Sequence, residues 1–159
     1  MILYHGSNVL IDNIDLQRSK PNKDFGKGFY CSDDKQQALR MAELKSDFLG
    51  GEPQITSFEF DENILKGNTD FSVRIFTDYS KEWADFIFAN RNNPTDENIH
   101  PYDIIYGPIA NDKVGLQIRK LEDGLIDKEE FLHRLKYMKG ITFQYFFGTN
   151  KAIQALKKL

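Results

Sequence analysis

Few residues in this sequence have the chemistry to bind or transform a ligand, and His5 is the first of them. It ends the alternating stretch Ile2–His5 and is followed by Gly6, Ser7 and Asn8, which favour turns. We therefore expect His5 at the end of a short strand. An imidazole, an unhindered backbone and a hydroxyl within one turn can hydrogen-bond a ribose and an amide. The alternative is a histidine whose ring nitrogens are satisfied by backbone groups.

Tyr30 and Gln144 are the other candidates, and each has a structural alternative. Tyr30 ends the segment Phe25–Tyr30, in which Gly26 and Gly28 bracket a lysine before a strand. A tyrosine ring beside flexible backbone can stack on a planar ligand, and a core position is equally compatible with it. Gln144 lies in the apolar stretch ITFQYFF, so its amide needs hydrogen-bond partners or a cavity if that face is buried. A glutamine on an edge strand facing water is the alternative.

The remaining reactive residue types favour structural roles. Cys31 lies in an apolar strand without a histidine nearby in sequence, which favours a small buried hydrophobe over a nucleophile. His100 and His133 are expected to be surface or packing residues. Three histidines, one cysteine and scattered carboxylates lack metal-ligand spacing, so no metal site is predicted. The glycines precede a strand and GxxxxGK[ST] is missing, so no phosphate-binding P-loop is expected.

Strands and helices must alternate along the chain to position these residues. The helical spacing of apolar residues, together with capping residues, predicts five helices. They begin at Asp33 or Asp34, Ser80, Asp112, Asp127 and near Asn150, and Gly50–Gly51 ends the first. Aromatic and β-branched runs predict strands at residues 2–5, 54–61, 71–76, 102–109 and 141–147. Met41 is expected on the inner face of the first helix, and Leu156 on that of the last. Because βαβ regularity and GxGxxG are missing, an α+β domain is predicted.

Length and composition predict a single domain over residues 1–159. With 159 residues and 40% hydrophobic composition, the chain can bury a core without disulfide cross-links. Its net charge of -3 is spread along the sequence, so no basic stripe indicates nucleic acid as a long-range partner. The apolar runs are far shorter than the roughly 20 residues of a membrane span. A lone cysteine and an N-terminus without a signal-like segment favour the reducing cytoplasm.

Two segments, LYHGSN at 3–8 and FGKGFYCSDDKQQA at 25–38, resemble the first two motifs of the ADP-ribosyltransferase superfamily, in its branch of poly-ADP-ribose polymerases and diphtheria toxin. The chain is more closely similar to a related family of small bacterial domains. Those domains carry similar LYHGS and DFGKGFY segments, a counterpart of Tyr102–Asp112 and a final strand with glutamine. The resemblance covers nearly the whole chain. It implies two small antiparallel or mixed sheets that form a split β-core flanked by helices.

The resemblance also implies that NAD is the co-substrate and that the N-terminal motifs hold it. His5 would contact the adenine-side ribose, and Tyr30 would stack on the nicotinamide ring. The backbone of Gly6 would hold the nicotinamide amide, with support from Ser7. Met41 stands where related enzymes often place an aromatic residue that closes the nicotinamide pocket. The glycine-bracketed segment would complete this end of the site with Phe25, Gly26 and Gly28.

Gln144 stands where many relatives have a catalytic glutamate that binds the nicotinamide-ribose hydroxyl and aligns the acceptor. Cleavage of the nicotinamide glycosidic bond develops an oxocarbenium-like ribose. A glutamine can hold a hydroxyl, but it cannot supply negative charge to the cation or accept the acceptor's proton. We therefore expect transfer of single ADP-ribose units, without chain elongation, to an acceptor that is already nucleophilic.

The function implied by the resemblance is an intracellular mono-ADP-ribosyltransferase that modifies a macromolecule, either a protein or a nucleic acid. The bacterial relatives imply a toxin-like role with a neutralising antitoxin as partner. A catalytically silent NAD-binding or protein-interaction domain is the alternative, motivated by Gln144 and Met41. An NAD glycohydrolase is a further alternative.

Overall fold

Short strands and helices alternate along the chain, which the computed structural model describes over residues 1–67 and 69–159. The strands are β1 (Ile2–Ser7), β2 (Phe29–Cys31), β3 (Gln54–Phe60), β4 (Val73–Ile75), β5 (Ile104–Pro108), β6 (Phe143–Phe147) and β7 (Leu156–Lys158). The α-helices are α1 (Lys35–Leu49), α2 (Lys81–Arg91), α3 (Asp112–Glu122), α4 (Lys128–Lys136) and α5 (Asn150–Ile153). Single turns of 3-10 helix cover Leu16–Arg18 and Glu62–Lys66. No helix in the described ranges has the length and apolarity to cross a membrane.

Side-chain caps start the helices close to the predicted residues. The cap of α3 is a correction: Asn111, not Asp112, accepts the hydrogen bond from the Val114 N–H. Asn111 has the extended backbone of an N-cap, whereas Asp112 already belongs to the first turn of the helix. The other predicted caps are confirmed, namely Asp34 for α1, Ser80 for α2 and Asp127 for α4.

The strands form two sheets within residues 1–67 and 69–159. Sheet A has the order β1-β3-β7 and is antiparallel. Sheet B has the order β2-β6-β5-β4 and is mixed, because β4 and β5 run parallel while β6 is antiparallel to both of its neighbours. The predicted α+β class with two small antiparallel or mixed sheets is therefore confirmed.

Two strand predictions need correction. The β1 strand does not end at His5, because Gly6 and Ser7 continue the ladder opposite Ile55 and Gln54. The turn propensity of the glycine is overridden by pairing along the whole length of β3. Leu156 does not lie on the last helix, which ends at Ile153; it begins β7 opposite Phe60 and buries its side chain from the sheet edge.

Alternation along β2 and β6 separates two apolar cores. Phe29 and Phe147 face sheet A and pack with Leu3, Phe58 and Phe60 in the core between the sheets. The opposite face of sheet B packs against three helices through a second core, which includes Ile105 and Phe146 from the sheet and Trp83, Val114, Ile118, Phe131 and Leu135 from α2, α3 and α4. Tyr30 and Gln144 have the same parity as Phe146 and therefore lie on the face of sheet B that packs against the helices.

Candidate functional site

The two N-terminal motifs lie side by side where sheet A meets sheet B. Tyr4 and Ser32 exchange backbone hydrogen bonds of 2.7 and 2.9 Å, which join β1 to the end of β2. One residue further on, the His5 Nδ1 lies 2.6 Å from the carbonyl oxygen of Tyr30. Because a carbonyl oxygen only accepts, His5 carries its proton on Nδ1, and Nε2 is left as a hydrogen-bond acceptor.

His5 is held as a neutral imidazole. Its ring stacks on Phe29 with 4.1 Å between the ring centroids and 19° between the planes. Burial lowers the pKa of His5 to about 3, with further lowering from the nearby charges of Lys45 and Lys23. The bond to the Tyr30 carbonyl opposes this shift but is outweighed. At neutral pH, His5 therefore offers an acceptor nitrogen, not a cation.

Gly6 turns its peptide edge away from β3. In an antiparallel ladder, alternate residues direct their N–H and C=O to opposite edges. Tyr4 bonds to Ser32 and not to β3, so Gly6, two residues later, directs its N–H and C=O to the same outer edge. The carbonyl accepts a 2.7 Å hydrogen bond from Lys45 Nζ, and no acceptor among the described residues is recorded for the N–H. Ser7 is buried beside it.

A different requirement explains why position 6 is glycine. A Cβ atom there would lie 1.9 Å from the carbonyl oxygen of Ala38, on the backbone of α1. The missing side chain therefore lets α1 pack directly on β1. The same strand uses one face of Gly6 for packing and its peptide edge for hydrogen bonding.

Tyr30 pins the glycine-bracketed segment. Its hydroxyl donates to the carbonyl oxygen of Gly26 at 2.7 Å and accepts from the Phe25 N–H at 3.1 Å. The centroids of the Tyr30 and Phe146 rings are 5.3 Å apart. The Lys23 ammonium lies 5.1 Å from the centroid of the Tyr30 ring. Burial is the main cause that raises the pKa of Tyr30 well above its ordinary value. The residue keeps part of its surface accessible, so it combines a packing role with an exposed edge.

The other residues of this segment are also fixed by packing. Phe25 is fully buried in the second core, between sheet B and the helices. Gly26 has a φ of 92°, and a Cβ there would lie 2.3 Å from Asn98 Oδ1. A Cβ on Gly28 would lie 2.2 Å from the ring of Phe146. The segment is thus a tightly packed support for Tyr30.

Gln144 belongs to a buried polar network. Its Nε2 donates to Asp24 Oδ2 at 3.1 Å. Asp24 Oδ1 accepts from Arg91 Nε at 2.9 Å and Nη2 at 2.7 Å, and its Oδ2 also accepts from the Ala110 N–H at 3.0 Å. A carboxylate only accepts, so the Gln144 amide nitrogen must face Asp24 and its Oε1 must point elsewhere. Gln144 and Tyr30 lie on the same face of sheet B, since Phe146 is opposite Tyr30.

Met41 does not lie with the inner residues of α1. Ala38 and Ala42 are buried on the face of α1 that packs on the sheet, whereas Met41 is 49% exposed. The expectation of an inward Met41 is therefore wrong, because the inner face is narrow and the two alanines occupy it. Its predicted role beside nicotinamide stays a prediction.

The other reactive residues are structural in this fold. Cys31 is buried between the sheets, and burial raises the pKa of its thiol. His100 accepts from the Tyr102 N–H at Nδ1 and bonds to the Phe25 carbonyl through Nε2 at 2.7 Å. Trp83 is fully buried and donates to the carbonyl oxygen of Pro108. A surface depression of about 550 Å³ is lined by none of the predicted site residues; it is formed by Ile64, Thr69, Asp70, Phe71, Lys151, Gln154 and Ala155.

Four charged residues of the site could not be selected from their local sequence. Lys23 and Asp24 precede Phe25 in a polar stretch, and Arg91 and Lys45 lie on amphipathic helices. Each is one of many charged residues in similar surroundings. Only the fold brings them to His5, Tyr30 and Gln144.

A comparison with models of protein families assigns nearly the whole chain to one family. A family model described as "Protein of unknown function (DUF3990)" matches residues 1–158. The chain belongs to this family. No curated protein and no solved structure matches it significantly.

In this DUF3990 protein, the junction of the sheets offers a specific set of groups. The His5 Nε2 accepts, the Gly6 N–H donates, and Lys23 and Lys45 add positive charge beside them. On β6, the Gln144 amide uses Nε2 for Asp24, so Oε1 is its acceptor end. Neutral acceptors suit hydroxyl groups, a free peptide edge suits an amide, and the ammonium groups suit an anion.

Proposed function

We propose that this chain is a mono-ADP-ribosyltransferase that transfers ADP-ribose from NAD to a macromolecular acceptor, with an ADP-ribosyltransferase-like fold. The hydrogen bond between His5 and the Tyr30 carbonyl carries the proposal. It joins the two segments that resemble the superfamily's motifs, and it orients the acceptor nitrogen of His5 beside the Gly6 peptide edge. The family model assigns no activity, so the function stands on this arrangement and on the resemblance.

NAD recognition would use the Gly6 peptide edge, the His5 Nε2 and the Tyr30 ring. Gly6 N–H would donate to the nicotinamide amide oxygen, and its carbonyl has a second lone pair beside the Lys45 bond for the amide nitrogen. His5 Nε2 would accept from a ribose hydroxyl. Tyr30 would supply a wall of the nicotinamide pocket, held by its bonds to Gly26 and Phe25.

The reaction would break the bond between ribose C1′ and the nicotinamide nitrogen. The bonding electron pair leaves with nicotinamide and neutralises its pyridinium charge, while positive charge develops on the ribose. The nucleophilic atom of the acceptor then bonds to C1′ and releases its proton to solvent. Gln144 would hold a ribose hydroxyl through Oε1, because Asp24 fixes the opposite end of its amide.

The residue at position 144 supports single transfer over chain growth. Chain growth needs a weakly nucleophilic ribose hydroxyl to be activated by a base. Gln144 cannot accept that proton, and the Asp24 carboxylate behind it is already occupied by Arg91 and Ala110. A protein side chain or a nucleic-acid base with its own nucleophilic lone pair is therefore the proposed acceptor.

The direct test uses purified protein, NAD labelled in its adenylate phosphate, and a bacterial lysate. We expect nicotinamide release together with labelling of a macromolecule, and loss of both in His5→Ala and Tyr30→Ala. His133→Ala is the matched control, because His133 is exposed on α4. Sensitivity of the label to protease, RNase or DNase identifies the acceptor class. Absence of both nicotinamide release and labelling would overturn the transferase proposal.

Two alternatives have distinct outcomes in the same test. NAD consumption without labelling would identify an NAD glycohydrolase. NAD binding without consumption would identify a catalytically silent domain, which the Gln144–Asp24 bond and the exposed Met41 favour. The proposed toxin role predicts that expression of the wild-type chain arrests bacterial growth, that His5→Ala relieves the arrest, and that a neutralising antitoxin protein binds the wild-type chain.

A further inference from the structure

Lys23 and Lys45 place two cationic groups around His5, and neither has an acidic partner among residues 1–67 and 69–159. Lys45, on α1, donates to the Gly6 carbonyl, and Lys23 places its ammonium 5.1 Å from the Tyr30 ring centroid. The ion pairs within 4.0 Å among the described residues include neither lysine. Asp24, the neighbour of Lys23, directs its carboxylate to Arg91, Gln144 and Ala110 instead.

The half-buried Lys45 lies next to a second cation, Lys23, which raises the free-energy cost of its charge. Burial and the charge of Lys23 lower the pKa of Lys45 to about 8, and burial together with Lys20 lowers the pKa of Lys23. Both ammonium groups also lower the pKa of His5, so the three groups share one electrostatic environment. Lys45 is half-buried, whereas Lys23 as a whole residue remains exposed. A half-buried cation is normally paired or ligand-bound, because an uncompensated charge is costly away from water. An anion between them would relieve this cost.

The donors define the chemistry of that anion. Lys45 uses one of its three N–H donors on Gly6, which leaves two, and Lys23 has all three free of the hydrogen bonds recorded for the described residues. Ammonium groups act as compact point charges that bind phosphate oxygens, without the planar geometry that guanidinium matches to carboxylates. His5 Nε2, beside them, accepts from a hydroxyl. The combination fits a phosphate attached to a ribose.

We infer that Lys23 and Lys45 bind the diphosphate of a ribose-containing dinucleotide, next to the hydroxyl acceptor His5. This inference rests on the proposed function for the identity of the ligand as NAD. The diphosphate chemistry is shared with free inorganic diphosphate. The test therefore measures both sources separately.

Isothermal titration calorimetry at pH 7 with inorganic diphosphate, ADP-ribose and NAD tests the inference. We expect Lys23→Gln and Lys45→Gln each to weaken binding of all three by about tenfold, the effect of losing one charge-assisted contact of about 1.4 kcal/mol. Nicotinamide alone should bind the variants and the wild-type protein equally. Lys35→Gln is the matched control, since Lys35 is exposed at the start of the same helix, α1.

Thermal unfolding of each variant separates lost binding from lost folding. Lys45→Gln removes the bond to Gly6, so Lys45→Arg, which keeps the charge, provides the second measurement. Retained affinity in Lys45→Arg together with a loss in Lys23→Gln supports the inference. Equal affinity of wild-type protein and folded Lys23→Gln and Lys45→Gln variants overturns it. Binding of inorganic diphosphate without binding of ADP-ribose also overturns the dinucleotide assignment.

The two proposals fail in different ways. If ADP-ribose binds through the lysines while NAD is never cleaved, the anion subsite stands and the transferase proposal fails. If NAD is cleaved and the lysine variants bind ADP-ribose as the wild type does, the transferase stands and the subsite inference fails.

Discussion

Gln144 donates its side-chain amide to the carboxylate of Asp24 across 3.1 Å, so a buried carboxylate lies directly behind the amide of position 144. Arg91 and the Ala110 N–H occupy the other lone pairs of that carboxylate. A glutamate at position 144 would bring two carboxylates to about the same distance in a buried environment. The glutamine is therefore matched to Asp24, and position 144 cannot be changed independently of it.

The Gln144→Glu variant should be destabilised by about 2 kcal/mol or more at pH 7, because like charges are forced together away from water. The pKa of the new carboxyl would be raised, since its neighbour Asp24 opposes ionisation. Its deficit should therefore shrink as the pH falls toward the ordinary glutamate pKa of about 4.3. Urea unfolding of wild type and variant at pH 7 and pH 4.5 measures this.

A double-variant cycle provides the control for this prediction. Asp24→Asn combined with Gln144→Glu restores an amide–carboxylate pair with the partners exchanged. We expect the double variant to lose at least about 1 kcal/mol less unfolding free energy than the two single variants lose together. Additive losses would show that Asp24 and Gln144 do not act as a pair.

Tyr30→Phe should release the glycine-bracketed segment while it keeps the aromatic ring. The change removes the donor to Gly26 and leaves the Phe25 N–H without its acceptor. We expect a loss of about 1–3 kcal/mol in unfolding free energy and faster hydrogen exchange at the Phe25 amide. Tyr137→Phe is the control, because Tyr137 is exposed at the end of α4. Unchanged exchange at Phe25 would contradict the pinning role.

The sequence was sufficient to predict the class of the fold and most element starts, because capping and apolar periodicity are local signals. Asp34, Ser80 and Asp127 cap helices as their positions predict. The continuation of β1 through Gly6 was not predictable, since it depends on pairing with β3, about 50 residues away in the chain. The short β7 strand was missed for the same reason.

The candidate site was predictable to a smaller extent. His5, Tyr30 and Gln144 stand out locally, because each is a polar group in an apolar or glycine-rich stretch. Their partners Asp24 and Lys45 do not, because a charged residue in a polar loop or on a helix surface has no distinguishing pattern. What joins them is the long-range contact between elements, and local spacing carries no information about it.

Gly6→Ala tests whether position 6 is glycine for packing. The new Cβ would meet the Ala38 carbonyl, which is backbone and cannot move without shifting α1. We expect a loss of about 3 kcal/mol or more in unfolding free energy, from overpacking of the β1–α1 interface. Gly115→Ala is the matched control: Gly115 lies within α3, where a Cβ meets only the distant Arg119 side chain, and alanine should add up to about 1 kcal/mol. Equal effects of the two substitutions would contradict this assignment.

His5 should make the protein sensitive to acid. Its pKa is about 3 in the folded state, against 6.5 for an unperturbed histidine, so the unfolded chain binds a proton that the folded protein excludes. Stability therefore falls as the pH drops below 6.5, by roughly 3 kcal/mol at pH 4 from this group alone. The folded pKa of His100 is also lowered by burial, and it adds a loss of the same sign.

His5→Gln isolates this contribution, because glutamine can still donate to the Tyr30 carbonyl but does not titrate. The variant should lose less unfolding free energy than the wild type between pH 7 and pH 4, while His100 and the carboxylates act equally in both proteins. His133→Gln, on the exposed surface of α4, should follow the wild-type curve. Parallel curves for wild type and His5→Gln would show that His5 is not held neutral between the sheets. Urea unfolding at half-unit pH steps gives the comparison directly, and the largest difference is expected at the acid end, where the wild-type imidazole resists protonation.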